Sequence, residues 1–118
     1  MKKRVWIILA TFFIVGCSSK PELYKITIDV APNKSNGKEW DLMGGSPDIK
    51  VLVDKQPLGV SQSCMDTYRC SYTFSSTNDE WYIEVYDNDI DSDDLIGKGD
   101  CQEGEKCKLG MATVTISD

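Results

Sequence analysis

Between Asp87 and Asp94 the chain places five aspartates in eight positions: Asp87, Asp89, Asp91, Asp93 and Asp94. Carboxylates this close repel one another, and the repulsion grows as water is withdrawn. No basic residue interrupts the run, and the nearest lysine along the chain is Lys98. A hard divalent cation resolves the conflict, because calcium takes about six to eight oxygen ligands, mostly carboxylates and carbonyls. The spacing therefore points to a calcium-holding loop, set against the plainer reading of a solvated acidic turn that aids solubility. Catalysis is not expected. The chain has no histidine, so the common acid–base and nucleophile arrangements lack their usual member.

The flanks of the loop have strand character. Trp81, Ile83 and Val85 alternate with Tyr82 and Glu84 just before the acidic run. The same period of two recurs at Tyr24, Ile26, Ile28 and Val30, at Ile49, Val51 and Val53, and at Ala112, Val114 and Ile116. Alternation of β-branched and aromatic residues marks half-buried strands. Cys70 to Phe74 is a weaker fifth candidate. Turn-formers separate these runs at 33–37, 44–47, 57–59 and 75–79. No segment carries a helical stripe. The fold class predicted is all-β, an antiparallel sandwich of about seven or eight strands. Trp40 and Trp81 are expected as core anchors. An EF-hand does not fit the acidic loop. Asp87, Asp89 and Asp91 match its first, third and fifth positions, but Ser92 stands where glycine is needed and Lys98 where glutamate is needed.

The first residues set the compartment. Met1 to Arg4 is a short basic start, and Val5 to Val15 is an apolar run too short to span a bilayer. It ends in Ile14-Val15-Gly16-Cys17, which resembles a bacterial lipoprotein processing site. The resemblance implies a signal peptide over residues 1–16, an acylated Cys17, a tether to residue 22 and one domain over 23–118. Ser18 after the cysteine implies the outer membrane of the cell envelope, facing the periplasm, since in that family an aspartate there retains proteins at the inner membrane. The whole chain holds 13 basic and 19 acidic residues, a net charge of −6. Removal of residues 1–16 takes away Lys2, Lys3 and Arg4 and leaves −9. An acidic domain of this kind excludes nucleic acid bound through phosphate contacts, and is repelled from anionic lipid unless a cation bridges the two.

Four cysteines remain: Cys64, Cys70, Cys101 and Cys107. In an exported domain of this size an even number reads as two disulfides. Three pairings are possible, and the equal spacing favours Cys64–Cys70 and Cys101–Cys107 as local hairpin staples. Zinc is disfavoured by the lack of histidine and of any Cys-x-x-Cys.

Two stretches resemble the C2 domain, the calcium-dependent lipid-binding sandwich of protein kinase C and the synaptotagmins. Ile83-Glu84-Val85-Tyr86-Asp87-Asn88-Asp89 through Asp94-Leu95-Ile96-Gly97 matches the family's Val-aromatic-Asp-x-Asp loop ending in Asp-apolar-apolar-Gly. More loosely, Leu23 through Val53 offers a strand, an Asp41 loop with Gly44-Gly45, and Ser46-Pro47-Asp48 before the next strand. The resemblance implies calcium ligands at Asp41, Asp48, Asp87, Asp89 and Asp94, with Asp93 as a substitute for Asp94. It also implies Leu42, Met43 and Ile90 as loop-tip residues able to enter lipid once calcium masks the carboxylates. The partners it implies are a phospholipid surface or an envelope protein. The chain departs from the family pattern at Pro47, which precedes the aspartate, at Ile49 and Lys50, where proline and tyrosine are usual, and in the short segment after Gly97. The rival function is a structural tether in an envelope complex, its acidic loop touching a protein without need of calcium.

Overall fold

The alternating pattern that opens the domain becomes a strand in the computed structural model, which describes residues 20–34, 37–38, 46–59, 61–88 and 93–118. Strand β1 spans Glu22–Val30 and buries Tyr24, Ile26, Ile28 and Val30 on one face. Among the described residues seven further strands follow: β2 Ile49–Val53, β3 Gln56–Pro57, β4 Arg69–Ser76, β5 Glu80–Asp87, β6 Asp94–Gln102, β7 Lys106–Leu109 and β8 Ala112–Ser117. The helical content among the described residues is one 3-10 turn, Gln62–Cys64, and no helix there is long and apolar enough to cross a membrane.

The strands form two antiparallel sheets of four, in the orders β4-β1-β8-β7 and β3-β2-β5-β6. Their facing sides meet in one core that includes Ile26, Ile28, Val51, Ile83, Val85, Val114 and Ile116, none with any solvent exposure. Each such side chain contributes about 1.5–3 kcal/mol by leaving water. The aromatic residues gather at one end of the core. Trp81 lies 4.8 Å from Tyr24 and 5.3 Å from Phe74 between ring centroids, both edge-on, and its indole N–H donates to Ser76 Oγ at 2.9 Å. Trp81 is thus the core anchor expected; Trp40 lies outside the described residues.

Strands β3, β6 and β7 were not legible as strands. Pro57 heads a turn-forming triplet, yet Gln56–Pro57 pairs with Leu52 and Val53 across a two-residue turn. Both turn residues, Asp54 (φ 50°) and Lys55 (φ 71°), take the positive φ of the type I′ hairpin. Strand β6 holds two glycines and two aspartates, poor strand formers, and is held by pairing to β5 along its length. A register shift between Val85 and Tyr86 admits Ile96 as an extra residue.

The two sheets close against each other along one side, where β6 and β7 are the respective edges. A Cβ on Gly97 would stand 1.7 Å from the Leu109 carbonyl oxygen, and one on Gly110 would stand 2.5 Å from the Ile96 carbonyl oxygen. Only glycine allows these two backbones to approach so nearly. The disulfides are those expected, Cys64–Cys70 and Cys101–Cys107. Their roles differ from hairpin staples. Cys101 is on β6 and Cys107 on β7, so that bridge ties one sheet to the other. The Cys64–Cys70 bridge ties the 3-10 turn to the start of β4. Across the opposite side of the core, the Tyr72 hydroxyl on β4 donates to the Ile49 carbonyl of β2 at 2.7 Å, again linking the sheets.

The sandwich has two poles. At one, Glu22 of β1 pairs with Ser76, and Lys25 pairs with Ser117 near the end of β8. At the other, Val30 N–H donates to Tyr68 O and Ala31 N–H to Met111 O, while Met111 N–H reaches Ile96 O of β6. Asp48, Asp87, Asp93 and Asp94 lie at this second pole, whereas Glu22, Asp79, Glu80 and Glu103 lie at the first.

Candidate functional site

Three strand ends build the acidic pole. Asp87 ends β5, between Ile49 of β2 and Asp94 of β6 in the pairing register. Asp48 immediately precedes β2. The alternation that turns Trp81, Ile83 and Val85 inward carries Asp87 inward as well, and it has no solvent exposure. Its Oδ1 accepts the Asp48 backbone N–H at 3.1 Å. A carboxylate withdrawn from water keeps its charge only where donors or cations meet it.

Asp48 is a junction between segments. Its carbonyl accepts Asn88 N–H at 2.8 Å, and its Oδ1 accepts Asp66 N–H at 2.6 Å. The neighbouring Pro47 carbonyl accepts Thr67 N–H at 2.9 Å. The start of β2 is thereby bonded to the residue after β5 and to the segment leading into β4. Asp66 adopts a left-handed φ of 53°, which aspartate tolerates better than most residues.

Lysines meet the other two described aspartates of the acidic run. Lys34 Nζ lies 3.2 Å from Asp94 Oδ2, and Lys50 Nζ lies 2.8 Å from Asp93 Oδ2. Both are distant in sequence and absent from the acidic run, so linear reading passed over them. Lys50 is one of the departures from the C2 pattern, and its pairing with Asp93 gives that departure a role. Partly exposed pairs of this kind contribute about 0–1 kcal/mol each and weaken with salt.

Of the five ligand positions expected, Asp48, Asp87 and Asp94 are thus at one pole, with Asp93 beside them. Asp41 and Asp89 lie outside the described residues, as do Leu42, Met43, Ile90 and the lipidation position Cys17. Among the described residues no group of three or more acids and cysteines closes around a point that could hold a metal ion. The donor chemistry suits a hard cation, with all-oxygen side chains and a sunken carboxylate at Asp87. The described oxygens alone do not complete a coordination shell.

One functional-looking residue escaped the sequence reading. Glu84 points to the outer face of its sheet, where an alternating pattern promises solvent, yet it is only 7% exposed. Tyr86 donates its hydroxyl to Glu84 Oε2 at 3.4 Å. Burial, and then the Glu84 charge beside it, push the Tyr86 hydroxyl above its ordinary range. Tyr72 is also pushed up, by burial. A cleft of about 230 Å³ adjoins the acidic pole, lined by Asp48, Ile49, Lys50, Met65 and Tyr72 among others.

No protein-family model matches the chain, and no curated protein matches it. Among solved structures it is similar to one described as "Structure of a C2 domain", at 21% identity, over 84% of this chain and 100% of the other, with a TM-score of 0.48.

Proposed function

We propose that the chain is an exported, non-enzymatic lipoprotein, anchored in the bacterial envelope through an acylated Cys17, whose acidic pole binds calcium. In this reading Asp48, Asp87 and Asp94 of the described residues, with Asp41 and Asp89 of the adjoining segments, supply the oxygens. Calcium would neutralise the crowded carboxylates and let the pole engage a phospholipid surface or an envelope protein. The observation that supports this most is the sunken Asp87. It holds a carboxylate at the end of a central strand, hydrogen-bonded to Asp48 and next to Asp94 in register. Sites of this open kind in extracellular modules bind with dissociation constants on the order of 10⁻⁴–10⁻³ M. Calorimetric titration of the full chain in neutral detergent should give heat and a raised melting temperature at millimolar calcium. The Asp87→Asn/Asp89→Asn double variant should give neither. A flat titration of the wild-type chain ends this reading.

The lysine pairs favour a second reading, a structural tether in an envelope complex. Lys34 and Lys50 already neutralise Asp94 and Asp93 without a metal, which suits a pole that meets a protein through exchange of ion pairs. Crosslinking in the envelope separates the two, since a partner retained after chelation belongs to the tether.

A further inference from the structure

The outer face of β5 holds an acid that the calcium reading does not use. Tyr82, Glu84 and Tyr86 alternate there, so the two phenol rings flank the carboxylate from either side. Leu52 of β2 and Lys98 of β6 are its cross-strand neighbours. Glu84 is about nine-tenths buried although no part of the opposite sheet covers this face.

A cation already sits beside this acid. Lys55, from the β2–β3 turn, sets its ammonium 4.0 Å from Glu84 Oε2 and 5.1 Å from the Tyr82 ring centroid. That is a carboxylate and an aromatic face acting together on one cation, and such faces attract ammonium groups. The hold is loose. The Lys55 side chain is 73% exposed, and 4.0 Å is the long end of ion-pair distances. The turn itself does not favour lysine, because φ of 71° at Lys55 is a conformation that suits glycine or asparagine. The Tyr82 backbone is tied to the same turn, since its N–H donates to Asp54 Oδ1 at 2.8 Å and its carbonyl accepts Asp54 N–H at 2.8 Å. An aromatic ring and a sunken acid are thus met by a weakly held, displaceable ammonium.

We propose that Tyr82, Glu84 and Tyr86 form a receptor for an alkylammonium group, presented by a lysine side chain of a basic protein partner, with Lys55 as its built-in competitor. Lysine is the source favoured on two grounds: the group already seated there is a lysine ammonium, and the chain's net negative charge, −6 whole and −9 without residues 1–16, complements a basic partner. The site lies on the sheet face and uses none of the carboxylates assigned to calcium at the pole.

The test is a titration of the full chain in neutral detergent, followed through the ring resonances of Tyr82 and Tyr86. The probes are butylammonium chloride, a pentalysine peptide and tetramethylammonium chloride, each against sodium chloride at equal ionic strength and with a chelator present. Saturable shifts with butylammonium and tighter binding of pentalysine are expected. Lys55→Gly removes the competitor and suits the turn, so it should fold and bind butylammonium about fivefold more tightly. Glu84→Gln, checked by its melting curve, should weaken binding about tenfold. Shifts no larger than those with sodium chloride, or unchanged affinity in Lys55→Gly, overturn the proposal. Tetramethylammonium binding more tightly than butylammonium overturns the assignment to lysine.

Discussion

Asp87 and Glu84 sit three residues apart on one strand, both withdrawn from water, and they are held in opposite ways. Asp87 faces the core end and takes a backbone N–H from Asp48, a donor that moves only if the start of β2 moves. Glu84 faces outward and is met by a phenol hydroxyl at 3.4 Å and a lysine at 4.0 Å, both on side chains that can rotate away. The first carboxylate is part of the frame, and a ligand there would act on the backbone of three segments at once. The second is a surface receptor whose partners can be exchanged without disturbing a strand. Burial alone does not distinguish a structural acid from a responsive one; the mobility of the donor does.

The largest expected effect breaks the frame between the two acids. Gly97 pairs with Val85, just at the register shift, and Gly97→Ala would drive a methyl into the Leu109 carbonyl. A clash with backbone must be relieved by parting β6 from the β7–β8 turn, at a cost of about 3 kcal/mol or more. Chemical denaturation should show a marginal or unfolded variant. Asp87→Ala comes next. It strands the Asp48 N–H and should lower stability by about 2 kcal/mol. Asp87→Asn keeps an acceptor of the same shape and should recover most of that loss, and if it does not, the charge itself is structural.

A third effect is pH-dependent. Tyr72 holds its proton more tightly when folded than when unfolded. Below about pH 10 both states are protonated and the residue adds no pH dependence. As pH rises further the unfolded chain loses the proton first, so stability falls. Tyr72→Phe should be about 1 kcal/mol less stable at neutral pH, having lost the bond to Ile49, and should show a shallower alkaline decline in urea midpoints. Smallest is Glu84→Gln, which should shift stability by only about 0.5 kcal/mol. A drop as large as that of Asp87→Ala would place both acids in the frame and dissolve the contrast.

The contrast also explains what could be read from sequence. Strands β1, β2, β5 and β8 each bury one face against the core, and burial on one side writes a period of two into the chain. Strand β6 is an edge held by hydrogen bonds and by a glycine contact, neither of which needs an apolar alternation. Asp87 drew notice because like charges crowd around it in sequence. Glu84 did not, because a lone acid at an outward position is the ordinary expectation. Its neighbours on that face are tyrosines two residues away on either side and, across the strands, Leu52 and Lys98. The neutralising lysines were hidden for a similar reason: Lys34 and Lys50 lie 60 and 43 residues from their aspartates, and only the folded register brings them near.

The start of β1 lies beside the end of β8, and Asp48, Asp87 and Asp94 lie beyond the far end of β1. A strand of nine residues covers about 30 Å. If the bilayer holds residue 17, a sandwich standing upright on the β1 end would lift Asp48, Asp87 and Asp94 about that far above it, like the head of a stalked probe. The surface they would meet is then one facing the host leaflet across the gap. A fluorophore appended after Asp118 would mark the rooted base and leave the head clear, so energy transfer from it to a labelled bilayer would read the domain's upright posture directly.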